Sequence, residues 1–436
     1  MKKILLLCLF APLWFSSCLF EDKELFDRTA TERMETRLQE SRAVLKSASN
    51  GWVMSYYPSP TREFGGYTLF VRFGDHDQVE VASEVGGDAT LTHSSLYEVI
   101  SGEGPVLTFN TGNPFIHYFA MAPNPDDIGT SDMGMQGDYE FIILDAQPER
   151  VVLKGRKTGN RIILTPIAAG VDWKALMQQY ITAANEMRFK LCTYTTPNGL
   201  RASASRTYRT LTFTYTLGGE EVLTTAAFRY TPTGIQFYQA LNIGGVNVTD
   251  MNFVGGAAPY FIDAAGSGAR LTVRILNPNE HLLMGEWFFT YSGLGSYGKA
   301  EWTAVKNNLN PIYKLAFAWM GADLLDYGQH GFNFQLVDTT TYDRLYGFYG
   351  FTHQLVGTDQ IKFTHNGVRL VNAEASVLFR YATPIATINC TTCPAKTFTV
   401  TVDNNADPTW IQLVDTGNAN NTIRLTITET SLPYDH

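Results

Sequence analysis

Short apolar segments separated by polar turns dominate the sequence between residues 49 and 168. β-Branched and aromatic residues fill these segments, and Gly, Asn and Asp residues stand between them. The segments cover residues 52–57, 67–73, 79–82, 106–109, 139–144, 151–154 and 161–165. Strands this short at this spacing are typical of an antiparallel barrel or sandwich. We therefore predict a first β domain over residues 49–168.

Two stretches have apolar residues at helical spacing instead. Residues 25–47 place Met34, Leu38 and Leu45 on one face, and Thr29 with Glu32 matches a helix capping box. This pattern predicts an N-terminal helix within residues 18–48. Residues 169–192 are predicted to form a helix that links two domains, because one face carries Trp173, Leu176, Met177, Tyr180 and Ile181.

The second half of the chain returns to the strand pattern, which predicts a second β domain over residues 193–436. Its clearest segments are residues 210–217, 235–241, 271–276, 398–402, 410–414 and 423–427. Residues 385–436 can form a C-terminal β subdomain, and residues 300–308 and 311–326 are predicted to be helical. The predicted fold class is therefore mainly β with a few helices (α+β), with two antiparallel barrel- or sandwich-like domains.

The first residues have the pattern of a lipoprotein signal peptide over residues 1–17. Lys2 and Lys3 precede an apolar run that is too short to span a bilayer comfortably, and Ser16 and Ser17 stand directly before Cys18. This arrangement resembles the lipobox, in which the cysteine sulfur carries diacylglycerol with acyl chains such as palmitate. We expect Cys18 to be the lipid attachment site. The alternative is an ordinary secretory signal, since the bulky Phe15 stands where a leucine-like residue is usual.

The residues after Cys18 bear on where such a lipoprotein would be exposed. Glu21, Asp22 and Glu24 resemble the acidic surface-export signal of Bacteroidetes lipoproteins. Two or more acyl chains give stable anchoring, whereas one gives marginal membrane binding. We therefore expect the protein to be lipid-anchored in the outer membrane and to face the cell exterior.

Composition narrows the classes of partner and the cysteine chemistry. The formal net charge of −9 argues against a nucleic-acid partner, because such a partner requires a basic surface.

Cys390 and Cys393 have CxxC spacing, and we expect a local disulfide or plain thiols there. A redox centre, half of a zinc site and a bridge from Cys192 to one of the pair remain alternatives.

Several motifs together resemble one family of bacterial lipoproteins. They are Leu25-Phe-Asp-Arg-Thr-Ala-Thr-Glu-Arg33, Ser47-Ala-Ser-Asn-Gly-Trp52, Tyr56-Tyr-Pro58, Gly65-Gly-Tyr67, Gly137-Asp-Tyr-Glu-Phe141, Leu153-Lys-Gly155 and Arg229-Tyr-Thr-Pro-Thr-Gly-Ile235. In these motifs the chain resembles the Bacteroidetes lipoproteins assigned to domain of unknown function 4302. Members are often encoded beside TonB-dependent transporters of the starch-utilisation type, their lid lipoproteins and a predicted zinc hydrolase lipoprotein. The resemblance implies nutrient capture at the cell surface and supplies no catalytic residue.

An aromatic and glycine-rich stretch offers candidate ligand contacts. Residues 346–351 read Tyr-Gly-Phe-Tyr-Gly-Phe, and Trp319 lies upstream of them. Exposed rings at a barrel mouth could stack on sugars, which makes Trp319, Tyr346 and Tyr349 candidate contact residues. The alternative reading places these rings in the core, because alternate residues of a strand face opposite sides of the sheet.

The remaining motifs predict no catalytic, metal or cofactor site. Asp126, Asp127, Asp132 and Asp138 could offer oxygen ligands to calcium, but they lack the EF-hand spacing, so we expect a solvated acidic loop. Residues 293–298 fit GxGxxG without a surrounding βαβ unit, and neither HExxH nor GxSxG occurs. We therefore expect a non-enzymatic surface lipoprotein that binds a glycan or peptide in a TonB-dependent uptake system. A structural or adhesive lipoprotein is the alternative, and an accessory hydrolase is the third reading.

Overall fold

The computed structural model describes residues 29–284, 287–289, 291–309, 315–322, 331–338, 344–371 and 395–427. Within these residues, antiparallel strands form three sheets, two of which are closed barrels. The chain divides into one compact unit over Met1–Ile181 and a second over Thr182–His436. The prediction of a mainly β chain with a few helices and barrel-like sheets is confirmed.

The first unit contains one nine-stranded sheet in the order β4-β3-β2-β1-β9-β8-β7-β6-β5. The end strands β4 and β5 are separated in sequence by Tyr97 alone, and this tyrosine is buried. A short helix, α2 (Pro114–His117), lies between β6 and β7 in sequence. The strands are β1 (Trp52–Tyr56), β2 (Tyr67–Phe73), β3 (Gln78–Ser83), β4 (His93–Leu96), β5 (Glu98–Gly102), β6 (Gly104–Thr108), β7 (Glu140–Gln147), β8 (Arg150–Gly155) and β9 (Arg161–Pro166).

Helix α1 (Ala30–Ser47) begins directly after the predicted capping residue Thr29 and ends at the predicted residue. The Thr29 side chain accepts a hydrogen bond from the Glu32 amide, and the Glu32 carboxylate accepts one from the Thr29 amide, which confirms the predicted capping box. The helix packs against β5, β6 and β7. Its last turn is tied to β1, because the indole of Trp52 donates a 2.7 Å hydrogen bond to the Leu45 carbonyl. Both side chains are fully buried.

Helix α3 (Trp173–Glu186) contains the boundary between the two units. Its first two turns carry the apolar face that the sequence predicts. Met177, Tyr180 and Ile181 are buried and pack with Phe70 and Ala82 of the first unit.

The first barrel of the second unit has eight strands in chain order, and it closes because β10 pairs with both β11 and β17. Alternate residues face inward, as in the row of Leu211, Phe213 and Tyr215 on β12. The strands are β10 (Leu191–Thr195), β11 (Arg201–Thr207), β12 (Thr210–Leu217), β13 (Glu220–Thr231), β14 (Gly234–Ile243), β15 (Val246–Val254), β16 (Tyr260–Asp263) and β17 (Arg270–Arg274).

The second barrel follows the short helix α4 (Pro278–His281) and closes through the pairing of β18 with β25. Helix α5 (Ser296–Leu309) and a single 3₁₀ turn (Tyr291–Gly293) lie between β18 and β19 in sequence. The strands are β18 (Trp287–Phe289), β19 (Leu315–Ala322), β20 (Gly331–Asp338), β21 (Arg344–Val356), β22 (Gln360–Val371), β23 (Lys396–Val402), β24 (Trp410–Asp415) and β25 (Asn418–Thr426).

The predicted helix over residues 311–326 is wrong at residues 315–322, the part of this range that the structure describes. Residues Leu315–Ala322 form strand β19, which pairs antiparallel with β18 and β20. The alanine, leucine and methionine residues of this stretch favour a helix when they are considered alone. Pairing with two neighbouring strands overrides that local preference, as tertiary context often does.

Candidate functional site

A pocket of about 320 Å³ lies in the second unit, at one end of the first barrel. Its walls come from several places in the chain: the segment before β10, the end of β11 with its following turn, the end of α4, the start of β18, the β23–β24 loop and the residue after β25. The lining residues are Arg188, Lys190, Arg206, Tyr208, His281, Trp287, Asp407, Pro408 and Ile427.

Arg206 fixes the geometry of the pocket through three hydrogen bonds that its guanidinium group donates. Its Nε donates to the Phe189 carbonyl at 3.2 Å, and its Nη1 donates to the Tyr208 carbonyl at 2.6 Å. Its Nη2 donates to Asp407 Oδ2 at 2.5 Å. The Tyr208 carbonyl is presented by a two-residue turn between β11 and β12, in which Tyr208 has a φ of 51°. Arg206 therefore holds the barrel end and Asp407 in one arrangement.

Arg188 and Lys190 have hydrogen-bond donors to spare. Arg188 Nε donates to Asp407 Oδ2 at 3.1 Å, and Lys190 Nζ donates to the Met284 carbonyl. Within the described residues, the Nη1 and Nη2 atoms of Arg188 and the remaining Lys190 protons make no hydrogen bond. The Arg188 side chain is 39% exposed, so solvent or a ligand can reach it. Asp407 Oδ1 likewise accepts no hydrogen bond from the described chain.

Hydrogen bonds hold His281 and the loop around Asp407 in place. His281 Nε2 lies 2.8 Å from the Asn405 carbonyl, and because a carbonyl only accepts, we assign the proton to Nε2. Asp403 Oδ1 accepts from the Thr409 amide at 2.9 Å, which closes the loop that carries Asp407. The indole of Trp287 donates to the His281 carbonyl at 3.1 Å. These contacts make the pocket walls pre-formed.

The pocket is electropositive in a chain of net negative charge. Three cationic side chains and one carboxylate line it, whereas the whole chain carries a formal charge of −9. Burial lowers the pKa of His281, and the positive charge of Lys190 lowers it further, which favours the neutral ring. Burial also lowers the pKa of Lys190, with Arg206 acting in the same direction and Asp407 opposing. The arrangement is suited to attracting one small anion.

Sequence reasoning did not find this pocket. Its residues lie in several separate segments between positions 188 and 427, and none belongs to a recognisable motif. Barrel closure and the return of the β23–β24 loop bring them together. The available signal was weak: the pair Arg188 and Lys190 stands out in a segment that follows an amphipathic helix in an acidic chain.

The residues proposed from the sequence fall mostly outside the part of the chain that the structure describes. Cys18, Cys390 and Cys393 lie outside the described residues, so lipid attachment and the CxxC disulfide stay predictions. Trp319, Tyr346 and Tyr349 lie on strands β19 and β21, and their side chains are outside the description, so ligand contact by them also stays a prediction.

Cys192 is a buried free thiol on β10, inside the first barrel. The alternative of a bridge from Cys192 to the CxxC pair is therefore not supported. Burial raises the pKa of this thiol to about 12, and Arg206 opposes the rise. Such a thiol is structural rather than reactive.

The expectation of one solvated acidic loop is corrected at Asp138. Asp126, Asp127 and Asp132 are exposed, but Asp138 is only 3% exposed. Its carboxylate accepts hydrogen bonds from the Lys157 amide at 2.5 Å and from the Thr158 hydroxyl at 2.5 Å. Burial of a carboxylate is tolerated because these donors replace water.

Asp138 is the centre of a structural clamp, which we call the Asp138 clamp and which consists of Tyr56, Gly137, Asp138, Gly155 and Thr158. The Tyr56 hydroxyl accepts from the Asp138 amide at 2.7 Å and donates to the Asp138 carbonyl at 2.9 Å. A Cβ at Gly137 would lie 2.5 Å from Phe119 Cβ, and one at Gly155 would lie 2.6 Å from the Thr158 hydroxyl. Three of the motifs singled out in the sequence therefore serve packing rather than chemistry.

The family profile described as "Domain of unknown function (DUF4302)" matches residues 22–255. The chain belongs to this family. The match contains the first sheet, Arg188, Lys190 and Arg206, whereas His281, Trp287 and Asp407 lie beyond it. The family description names no activity. No curated protein matches the chain.

Solved structures give only weak matches. The β chain of DNA polymerase III from Streptococcus pneumoniae is 9% identical, with 90% of this chain and 97% of that chain covered, at a TM-score of 0.11. Transferrin binding protein B from Haemophilus parasuis is 7% identical, with 86% and 74% covered, at a TM-score of 0.12. These scores establish neither a common fold nor a shared function.

Among the described residues, no helix combines the length and the apolar character that crossing a membrane requires. In the same part of the chain, no three His, Cys, Asp or Glu side chains are grouped as metal ligands would be.

Proposed function

We propose that this protein is a non-enzymatic binding lipoprotein, tethered through Cys18 to the outer membrane and facing the cell exterior. It would bind a nutrient, such as a glycan or peptide fragment, for a TonB-dependent transporter and its lid lipoprotein. The observation that carries the proposal is the pre-formed pocket, in which Arg188 and Lys190 have unused donors and Asp407 has an unused acceptor oxygen. Pockets of this kind orient small polar ligands.

The chemistry of the pocket supports binding over hydrolysis. Among the described residues, Asp407 is the sole carboxylate that lines it, and Arg188 and Arg206 both engage that carboxylate. Glycoside hydrolysis commonly needs two carboxyl groups across the scissile bond. The His281 ring bonds a backbone carbonyl rather than a nucleophile. We therefore propose ligand capture without turnover.

The tether is tested by membrane fractionation of a Cys18→Ala variant. The mature wild-type protein should sediment with membranes and label with palmitate, and Cys18→Ala should move to the soluble fraction and lose the label. Cys8→Ala is the matched control, because Cys8 lies within the predicted signal peptide and should leave both results unchanged. If Cys18→Ala stays in the membrane pellet, the lipid tether is refuted.

The role in uptake is tested by affinity purification from native outer membranes. Recovery of a TonB-dependent transporter with the wild-type chain, and its absence with Cys18→Ala, would support the proposal. Recovery of cell-wall or matrix components without a transporter would instead favour the structural or adhesive alternative. Consumption of a bound glycan or peptide would favour the hydrolase reading.

A further inference from the structure

We infer that the pocket binds a small organic carboxylate that carries a hydrogen-bond donor, a hydroxyl or an N–H group, close to its carboxylate. The inference rests on the proposed binding function and adds the chemical class of the ligand. Sugar acids and the carboxyl ends of amino acids or short peptides share this chemistry, and the experiment below separates them.

The cationic side of the pocket matches a carboxylate. The two Nη atoms of Arg188 are parallel donors without a partner in the described chain, and Arg188 lines the pocket. Guanidinium groups bind carboxylates through two parallel hydrogen bonds. Lys190 adds a second positive charge two residues away, with protons left over after its bond to the Met284 carbonyl. These two side chains are the proposed direct contacts.

The anionic side of the pocket selects among anions. Asp407 lines the same pocket, and its Oδ1 has no donor among the described residues. Sulfate or fully ionised phosphate would bring two negative charges close to this carboxylate, and neither offers it a proton. A carboxylate ligand with a hydroxyl or N–H group close to its carboxylate satisfies Arg188 and Asp407 together. The paired charges therefore favour carboxylates with such a donor over inorganic anions.

The size of the pocket limits the ligand further. Its volume of about 320 Å³ is at the lower end of small-molecule sites, which span about 300–1,000 Å³. That space holds about ten waters at roughly 30 Å³ each, or one sugar ring or dipeptide. Tyr208 is 42% exposed and lines the pocket, so it can cover one face of such a ligand.

Arg206 is a positioning residue in this scheme. Its three hydrogen bonds to the Phe189 carbonyl, the Tyr208 carbonyl and Asp407 leave its side chain 12% exposed. It keeps Asp407 Oδ2 engaged, and Oδ1 has no donor among the described residues. A ligand would therefore enter a site whose charges are already oriented, which lowers the cost of binding.

The test uses the full mature chain, isothermal titration calorimetry and ligand-observed NMR. Ligands are offered as matched pairs that differ in one group: glucuronate and glucuronamide, alanylalanine and its C-terminal amide, lactate and propionate, with sulfate and phosphate alongside. The carboxylate member of the first two pairs should bind more tightly, and lactate should bind more tightly than propionate. Tighter binding of glucuronate than of alanylalanine would identify sugar acids as the ligand class, and the reverse order would identify amino acids or short peptides.

Variants then assign the binding to the pocket. Arg188→Gln and Lys190→Gln should each weaken carboxylate binding about tenfold or more, because each removes a charge-assisted hydrogen bond. Arg201→Gln is the matched control: it removes an exposed arginine from strand β11 of the same barrel and should leave the affinity unchanged. Circular dichroism melts show whether each variant is folded.

Three outcomes would overturn the inference. They are tighter binding of sulfate or phosphate than of any carboxylate, carboxylate binding that survives both substitutions in folded variants, and absence of carboxylate binding at millimolar concentrations. If a neutral sugar or a peptide amide binds in that last case, the inference fails while the proposed binding function stands. If no compound binds, both the inference and the nutrient-binding role fail, whereas the membrane tether is judged separately by the Cys18→Ala experiment.

Discussion

Replacing Tyr56 by Phe should destabilise the first unit by removing the hydroxyl at the centre of the Asp138 clamp. The ring itself is fully buried and would be retained, so the change deletes one oxygen atom and leaves the packing in place. That oxygen accepts from the Asp138 amide at 2.7 Å and donates to the Asp138 carbonyl at 2.9 Å. Burial, and secondly the negative charge of Asp138, raise the pKa of Tyr56 well above its ordinary value, so the hydroxyl stays protonated.

The magnitude follows from the two backbone groups that would lose their partner. Each buried polar group left unpaired costs about 1–3 kcal/mol, so the loss of both partners should lower the free energy of unfolding by about 2–6 kcal/mol. A domain of this size has a urea slope of about 2 kcal/mol per molar, so the midpoint should fall by about 1–3 M. Hydrogen exchange pulses across a urea series, read by mass spectrometry on peptides that contain residues 52–57 and 137–141, report the first unit separately from the second.

Tyr139→Phe is the matched control for this measurement. Tyr139 is next to Asp138 in sequence and 43% exposed, and within the described residues its hydroxyl makes no hydrogen bond. Its substitution should change stability by less than about 0.5 kcal/mol. Two results would refute the view that the hydrogen bonds of the Tyr56 hydroxyl stabilise the unit. One is an equal shift of the urea midpoint in the two variants, and the other is a loss of unfolding free energy below about 0.5 kcal/mol in Tyr56→Phe.

Three further predictions concern packing, pH and thiol reactivity. Gly137→Ala should lower the thermal midpoint of the first unit and cost about 1–3 kcal/mol of stability, because the new Cβ would lie 2.5 Å from Phe119 Cβ. Gly112→Ala is the control and should leave the midpoint unchanged, because a Cβ at Gly112 meets nothing within 4 Å. The pKa of His281 is lowered below 6.5 in the folded state, so the unfolded state binds more protons than the folded state as the pH falls. The stability of the second unit, measured by calorimetry, should therefore decline below about pH 6.5. The decline should be smaller in His281→Gln. Cys192, with its pKa raised to about 12, should resist alkylation until urea unfolds the barrel, as peptide mass spectrometry would show; rapid labelling of the native chain would contradict its burial.

Local signals in the sequence predicted the parts of the fold that depend on near neighbours. The capping box of Thr29 and Glu32 forms as predicted, because its partners are three residues apart and satisfy each other without help from the rest of the chain. Segments rich in β-branched and aromatic residues likewise coincide with strands such as β2, β8 and β12. The failure at residues 311–326 has the opposite cause, since pairing with β18 and β20 decides the conformation there.

The family motifs carried structural information that the sequence could not interpret. Tyr56, Asp138 and Gly155 are far apart in sequence, and the sequence pattern alone groups Asp138 with the exposed acids that precede it. Their meeting in the clamp depends on the return of the chain through β7 and β8. The close contacts at Gly137 and Gly155 explain why those positions hold glycine, a reason that becomes visible only when the neighbouring side chains are placed.

By itself, the sequence determined the strand-rich character of this protein, its first helix and the expectation of a lipid anchor at Cys18, because each depends on residues that are adjacent or periodic. The tertiary structure decided the closure of two barrels in the second unit and the pocket beside them. Arg188, Arg206 and Asp407 meet there across about 200 residues of chain. No local pattern encodes such a meeting, since it follows from strand order, barrel closure and one loop held in place by the Asp403 carboxylate, which accepts from the Thr409 amide.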